Sequence, residues 1–464
     1  MDPLSIKKLL IANRGEIAVR IIRAASDLGI QTVQIYSDAD KDSLAVFLAD
    51  EAVNVGPPQA AKSYLNIDAI LEAAKSTGAD SIHPGYGFLA ENADFSDRVS
   101  QAGLIFVGPA GDTIRLMGHK AAARSEAQKA GVPTVPGSDG IIDDLQKASE
   151  IADEIGFPVM IKAAAGGGGR GIRIAQSTED FTSLASQASS EAKAAFGDGG
   201  VYIEKVITSA RHIEVQILGD GENVVHFYDR DCSLQRRRQK VWEEAPSAAL
   251  PADIREKICA SAVALAKSVR YQGAGTVEYL YDDETREFYF IEMNTRIQVE
   301  HPVTELVCGI DLVAEMIRIA GGQNLRQTQS DIRLSGHAIE VRLNAEDPTC
   351  NFMPSPGLIE ALTTPGGPGV RFDHMLYTGY VVPPFYDSLL GKLVVWAEDR
   401  NQALLRLDRA LRELDIKGVR TTAPLFDTLL NNQDIQDGKF DTGWLEPWIK
   451  NNSHLIKDQG AETS

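Results

Sequence analysis

A doubly wound α/β layer at the amino end, followed by a mixed-sheet α+β body, is the fold class this sequence predicts. Three observations carry it. Short apolar strand patterns alternate with amphipathic helical ones at the start, a glycine run separates two strand patterns further on, and the segment from about Gly336 is rich in strands. The opening reads Lys8 to Ala12 as a strand, Glu16 to Leu28 as a helix, Thr32 to Tyr36 as a strand and Ile67 to Lys75 as a helix. That alternation is the pattern of a parallel layer. It continues through Ser81 to Pro84, Ala93 to Ala102 and Leu104 to Val107 and stops at Gly108-Pro109, placing a boundary near residues 109–118. A helix His119 to Ala130 and the breaker run Gly131 to Gly140 come next. A smaller unit follows, with a helix Leu145 to Ile155, a strand Pro158 to Lys162, the glycine run, a strand Ile172 to Ala175, a helix Phe181 to Phe196 and a strand Val201 to Ile207. Antiparallel strands are expected at Ile213 to Leu218 and Val224 to Tyr228, then a helix Ile254 to Val269 and the strand pair Thr276 to Tyr281 and Phe288 to Met293. The last segment ends in helices Gln402 to Leu414 and Ala423 to Leu430, and residues 451–464 read as a frayed polar tail.

At roughly 150 residues per domain, 464 residues suggest about three domains. Lys plus Arg number 46 against 65 Asp plus Glu, a formal charge of −19, so phosphate backbones are repelled and nucleic acid is not expected as a partner. Cys232, Cys259, Cys308 and Cys350 form no CxxC pair, which fits neither a disulfide framework nor a zinc knuckle and points to a reducing cytoplasm. No stretch reaches the roughly 18 apolar residues a membrane helix needs, so neither export nor membrane anchoring is expected.

Gly166-Gly167-Gly168-Gly169-Arg170-Gly171 lies between two strand patterns. Its amides are free to close over a phosphate, or the run is a flexible hairpin tip; it opens no helix and lacks GK[ST], so neither common nucleotide motif applies. Lys162, at the end of the entering strand, and Lys120, at the start of a helix, favour the phosphate reading. Glu292 and Asn294 share a face with Phe288 and Phe290 by the period-two rule. If Asp283 to Arg286 form the turn, Glu278 stands opposite Glu292. Facing carboxylates destabilise a strand pair unless a divalent cation sits between them, and two carboxylates with an amide oxygen suit Mg²⁺. The other reading is an edge pair with both carboxylates in water. Thr295 to Pro302 reads as a polar loop in which Arg296 is placed to clamp an anion and Glu300 to act as a general base. Arg236-Arg237-Arg238-Gln239-Lys240 suggests an anion site, because clustered cations repel unless anions intervene.

These residues, with Ile11-Ala12-Asn13-Arg14-Gly15-Glu16, His83-Pro84-Gly85-Tyr86-Gly87, Arg230-Asp231-Cys232-Ser233 and Asn344-Ala345-Glu346-Asp347-Pro348, resemble the biotin carboxylases of the ATP-grasp superfamily over about residues 6–445. The resemblance implies an amino-terminal domain at 1–118 and an ATP-grasp region at 119–321, with a mobile lid at about 134–206. It also implies a carboxyl-terminal domain at 322–450. Carried over position by position, it implies ATP contacts from Lys120, Lys162, Gly168, Gly169, Glu204, Lys205, Val206, Ile207, His212, Gln235 and Arg238. Mg²⁺ or Mn²⁺, as two ions, would be held by Glu278, Glu292 and Asn294. Lys240, Arg296, Gln298 and Val299 would bind bicarbonate, Glu300 would deprotonate it, and Arg342 would stabilise the biotin enolate; Lys240, Arg296, Glu300 and Arg342 form the catalytic set.

The family reading makes the chain a biotin carboxylase subunit, with biotin on another polypeptide because no Met-Lys-Met tract or carboxyltransferase region is present. Acetyl-CoA carboxylase is the expected context, with a biotin carboxyl carrier protein, carboxyltransferase subunits and a homodimer. Arg238 stands where close relatives carry a phosphate-contacting histidine, and Trp242 where they carry a small aliphatic residue. Those departures keep a second reading open: a carboxylase serving a ureido or guanidino compound, another acyl-CoA or an oxo acid. A nucleotide-sensing subunit without activity is the third, and the intact set from Lys120 to Arg342 argues against it.

Overall fold

The computed structural model describes residues 4–138, 140, 142, 144–163, 172–196 and 200–457. The chain divides into two compact units, one made of residues 1–132, 211–279 and 292–464, the other of 133–210 and 280–291.

In the first unit, strands β1 (Lys8–Ile11), β2 (Gln31–Tyr36), β3 (Glu51–Asn54), β4 (Ser81–His83) and β5 (Ile105–Phe106) pair in parallel in the order β3-β2-β1-β4-β5. Leu9, Leu10 and Ile11 are all fully buried, as a strand covered on both faces requires. The helix Gly15–Asp27 turns Ile17, Ile21 and Ile22 into the core. Its first residue has φ of 70°, which only glycine adopts without strain, so Gly15 sets the sharp entry from β1. The expected ends move by one to a few residues. The boundary region after Gly108-Pro109 is itself partly helical, Gly111–Gly118.

An eight-stranded sheet is the largest among the described residues. Its strands include β9 (Ala210–Asp220), β10 (Val224–Arg236), β11 (Gln239–Ala245), β12 (Gln272–Asp282), β13 (Phe288–Asn294) and β14 (His337–Asn344). The order is β13-β12-β9-β10-β11-β14, followed by Leu389–Ala397 and Val370–His374. Two parts of this sheet were not legible. β10 runs past the expected Tyr228 to Arg236, and β11 was not anticipated. The two join through Arg237 and Arg238, at φ 49° and 64°, a two-residue turn that is normally written with Asn and Gly. Arginines gave no turn signal there. The expected polar loop at Thr295 to Pro302 also ends early, because helix His301–Cys308 starts inside it with Pro302 in its first turn; Val303 and Val307 pack on Ala245, Ala338 and Val394. A further unpredicted helix, Leu312–Ala320, is capped by Asp311, whose carboxylate accepts the Ala314 N–H at 2.7 Å. The tail expected from residue 451 is helical to Asn452, and Ile456 is buried in the carboxyl-terminal core.

In the second unit, strands β6 (Val159–Ala163), β7 (Ile172–Ala175) and β8 (Val201–Lys205) form an antiparallel sheet in the order β7-β6-β8. Helices Leu145–Ile155 and Thr178–Phe196 belong to the same unit, whose small core includes Val159, Ile161, Phe181 and Ile203. The glycine run, with Gly168 and Gly169, lies outside the described residues.

Candidate active site

A β-bulge sorts the charges of β11. Gln235 pairs with Lys240 and Leu234 with Trp242, so Val241 is the extra residue and neighbouring side chains change face. Lys240 and Glu243 join one buried charge network. Trp242 and Glu244 join another, where the Trp242 Nε1 donates to Glu244 Oε1 at 2.9 Å and the ring packs in the core with Phe426.

Lys240 is the hub of the first network. Its ammonium donates to Glu214 Oε2 at 2.6 Å, Glu300 Oε1 at 2.7 Å and Glu278 Oε1 at 3.0 Å. Burial opposes its charge, and Glu214, Glu300 and Glu278 outweigh burial, so it is held well above the ordinary lysine range. Beneath it, Arg230 is fully buried. Its guanidinium donates to Glu214, Gln216, Thr304, Thr276 and Gln298 at 2.6–3.2 Å. Gln298 passes the constraint on, since its Nε2 donates to Glu278 Oε1 at 2.8 Å. Asn294 Nδ2 donates to the same oxygen at 2.9 Å, and His212 Nε2 lies 3.1 Å from Glu278 Oε2.

Glu300 occupies the N-cap position of helix His301–Cys308 and is buried. Its carboxylate lies between Lys240 and Arg342, whose Nη2 donates to Glu300 Oε2 at 2.9 Å. Burial raises the Glu300 carboxyl, but Lys240, Arg342 and Arg230 reverse that and hold it well below the usual carboxylate range. Arg342 is itself shared, its Nε donating to Glu243 Oε1 at 2.6 Å. Arg296 donates to Glu91 Oε2 at 2.9 Å and to Asn294 Oδ1 at 2.9 Å. The Val299 carbonyl accepts from Lys392 Nζ at 2.8 Å.

Glu278, Glu292 and Asn294 fit a hard divalent cation. Burial raises the Glu292 carboxyl, the charge on Glu278 raises it further, and Lys120 pulls the other way. A cation between the carboxylates would turn that repulsion into attraction.

The remaining expected nucleotide contacts fall in both units. Lys120 is exposed at the start of helix Lys120–Lys129, in the first unit with half-buried His212 and Gln235. Lys162, Glu204, Lys205, Val206 and Ile207 belong to the second unit, where Lys205 Nζ donates to the carbonyls of Gly156 at 2.8 Å and Phe157 at 3.1 Å. The Lys162 side chain lies outside the described residues. Arg238 is exposed on the hairpin turn. The basic run does not converge on one anion: the Arg236 guanidinium stacks 3.7 Å over the Phe352 ring, the Arg237 N–H donates to Glu446, and only Lys240 turns inward. Glu214, Glu243 and Glu91 were not anticipated. For Glu214 a signal existed, since His212, Glu214 and Gln216 alternate along one face of β9.

Comparison with known proteins decides the family. The chain matches "Biotin carboxylase, N-terminal domain" over residues 5–114 and "Carbamoyl-phosphate synthase L chain, ATP binding domain" over 119–328. It matches "Biotin carboxylase C-terminal domain" over 340–447. It is 54% identical to a biotin carboxylase of Nostoc sp. across 96% of this chain and all of that one. The chain belongs to the biotin carboxylase family. It is 48% identical to a pyruvate carboxylase subunit of Methanothermobacter thermautotrophicus, covering 95% of this chain and 90% of that one. A solved biotin carboxylase domain of a thermophilic 2-oxoglutarate carboxylase, bound to ADP, superposes with a TM-score of 0.92 at 48% identity over 98% of this chain and 99% of that one. Members of this family are ATP-dependent ligases. Among the described residues no helix is long and apolar enough to cross a membrane.

Trp242 is a core residue. Trp242→Phe is expected to cost about 1–2 kcal/mol, the price of one indole hydrogen bond and some packing. Bicarbonate-dependent ATP cleavage should stay at the parent level; a selective fall in that rate, with the melting transition unmoved, would place the ring in the site instead.

Proposed function

We propose that the chain carboxylates carrier-borne biotin, consuming ATP and bicarbonate by way of carboxyphosphate, as the first half-reaction of acetyl-CoA carboxylase. The observation that supports this most directly is the buried Glu300 carboxylate bonded to both Lys240 and Arg342. Those cations suppress its basicity. Bicarbonate drawn to Lys240 and Arg296 competes with Glu300 for Lys240, and Glu300 regains the strength to take the bicarbonate proton as the γ-phosphate is attacked. Phosphoryl transfer of this kind depends on positioning and charge neutralisation, which the lysines and arginines supply. Carboxyphosphate then breaks down to CO₂ and phosphate beside the acceptor nitrogen, and Arg342 balances the negative charge of the biotin enolate. Glu278, Glu292 and Asn294 would hold Mg²⁺ or Mn²⁺, which neutralises the phosphate oxygens when bound. The family resemblance assigns the ATP contacts to Lys120, Lys162, Gly168, Gly169, the segment Glu204 to Ile207, His212, Gln235 and Arg238.

Carrier protein, carboxyltransferase subunits and a second copy of this chain are the partners of this reading. Trp242, which had kept other acceptors open, has its ring in the core and offers them no support. ATP hydrolysis measured with and without bicarbonate and free biotin tests the reaction. ATP cleavage indifferent to both would overturn it. Reconstitution with a biotinylated carrier and transferase, scored on acetyl-CoA, pyruvate and 2-oxoglutarate, tests the acceptor.

Removing either acidic metal residue, Glu278→Ala or Glu292→Ala, should raise the Mg²⁺ concentration for half-maximal rate by at least about tenfold. Titration curves of both variants that overlay the parent would reject the metal role.

A further inference from the structure

Glu243 and Glu340 stand directly opposite each other where β11 pairs with β14, and both are fully buried. Glu243 Oε1 accepts from Arg342. Its Oε2, and both oxygens of Glu340, meet no donor. Buried acceptor oxygens left in this state are costly, and two facing carboxylates compound the cost by repulsion. A single proton between them removes the repulsion and supplies the missing donor. We propose that Glu243 and Glu340 form a buried acid–carboxylate pair sharing one proton, and that this pair positions Arg342 between Glu243 and Glu300.

No neighbouring cation replaces that proton. Lys392, on the adjacent strand opposite Arg342, is engaged by the Val299 carbonyl at 2.8 Å and Glu16 Oε1 at 3.1 Å. Arg342 is divided between Glu243 and Glu300. From helix His301–Cys308, His301 is kept neutral by burial and by Lys392, Arg20 and Arg371. Burial, opposed by Arg342 and reinforced by Glu300, pushes the Glu243 carboxyl up to about 7. Burial likewise holds Glu340 well above the carboxylate range, against the pull of Lys392 and with Glu243 adding to the rise. The pair therefore keeps one proton through the neutral range and gains a second as pH falls below about 7. With both protons on, Arg342 has only Glu300 as an anionic partner, which weakens the base and withdraws the guanidinium from the acceptor. Carboxylation should decline on the acid side for that reason. Glu243 and Glu340 are positioning residues, acting through Arg342.

The kinetic consequence rests on the roles proposed above for Glu300 and Arg342; the shared proton does not. Infrared spectra of the ligand-free protein, with ¹³C-labelled glutamate to assign bands, should show a carboxylic acid C=O stretch at neutral pH that Glu340→Gln removes. Absence of that band, or its survival in Glu340→Gln, overturns the pair whatever the enzyme does. In pH profiles of biotin carboxylation, Glu340→Gln keeps a neutral hydrogen-bond donor beside Glu243, so its alkaline plateau should match the parent and its acid limb should move to lower pH. Glu243→Gln should lose about tenfold or more in kcat/KM for biotin, the scale of one buried charged hydrogen bond, and its acid limb should flatten. A purely structural role would lower the rates of both variants with no movement of the limb, and acid limbs that coincide in all three proteins would overturn the positioning of Arg342.

Discussion

Glu300→Gln is expected to bind ATP as the parent does and to lose bicarbonate-dependent ATP cleavage by about 10² to 10⁴, the usual range for a missing general base. The amide matches the carboxylate in size, so packing at the start of helix His301–Cys308 is preserved. What changes is chemistry. The carboxylate now accepts from Lys240 at 2.7 Å and from Arg342 at 2.9 Å. In the variant one of those cations faces an NH₂ group, and no atom remains that can take a proton from bicarbonate. Nucleotide titration and single-turnover ATP cleavage on the same preparation separate binding from chemistry. A rate within about threefold of the parent, far short of the general-base range, would remove Glu300 from this role. Because its neighbours hold it well below the ordinary range, Glu300 stays ionised through neutrality. Its own protonation in the free enzyme would therefore appear only at strongly acid pH, and a limb near neutrality belongs to another group.

Regular strands were the legible part of this molecule. Period-two alternation put Glu292 and Asn294 on one face of their strand, and a turn forms over Asp283 to Arg286, with the Asp282 N–H donating to the Glu287 carbonyl at 2.9 Å. The parallel layer was legible for the same reason, since apolar residues recur there at helix and strand periods. Lys240 was harder. Its neighbours in sequence are arginines that leave in other directions, and a bulge at Val241 breaks the alternation that would have paired it with Trp242. Strict alternation would put Lys240 and Trp242 on one face, whereas the bulge sends the tryptophan into the core. The partners that tune the site, Glu214, Glu243 and Glu91, lie far along the chain from Lys240, Arg342 and Arg296. Nothing local to those cations announces which carboxylate will meet them. The unpredicted helices His301–Cys308 and Leu312–Ala320 span only eight and nine residues, too short a window for a helical period to stand out.

The largest stability effect is expected at Arg230. Its side chain is wholly buried and its donors are used by Glu214, Gln216, Thr304, Thr276 and Gln298, drawn from strands β9 and β12, the loop after β13 and helix His301–Cys308. Arg230→Met keeps much of the volume and removes every donor. Glu214 would keep only Lys240 among its charged hydrogen-bond donors, and the Gln216 and Gln298 carbonyl oxygens would be stranded in the interior. Removing one partner of a buried ion pair typically costs about 3–5 kcal/mol, a large share of a total stability of about 5–15 kcal/mol. The damage should reach the chemistry as well. Gln298 links Arg230 to Glu278, so its release loosens the carboxylate that Lys240 and the proposed metal both depend on. Arg230→Lys is expected to recover only part of the loss, because one ammonium cannot reproduce the planar fork that reaches five side chains. Urea unfolding followed by circular dichroism measures this directly. If the Arg230→Met transition falls within about 1 kcal/mol of the parent, the guanidinium is not the brace of the site, and water or rearranged amides must satisfy the groups it leaves.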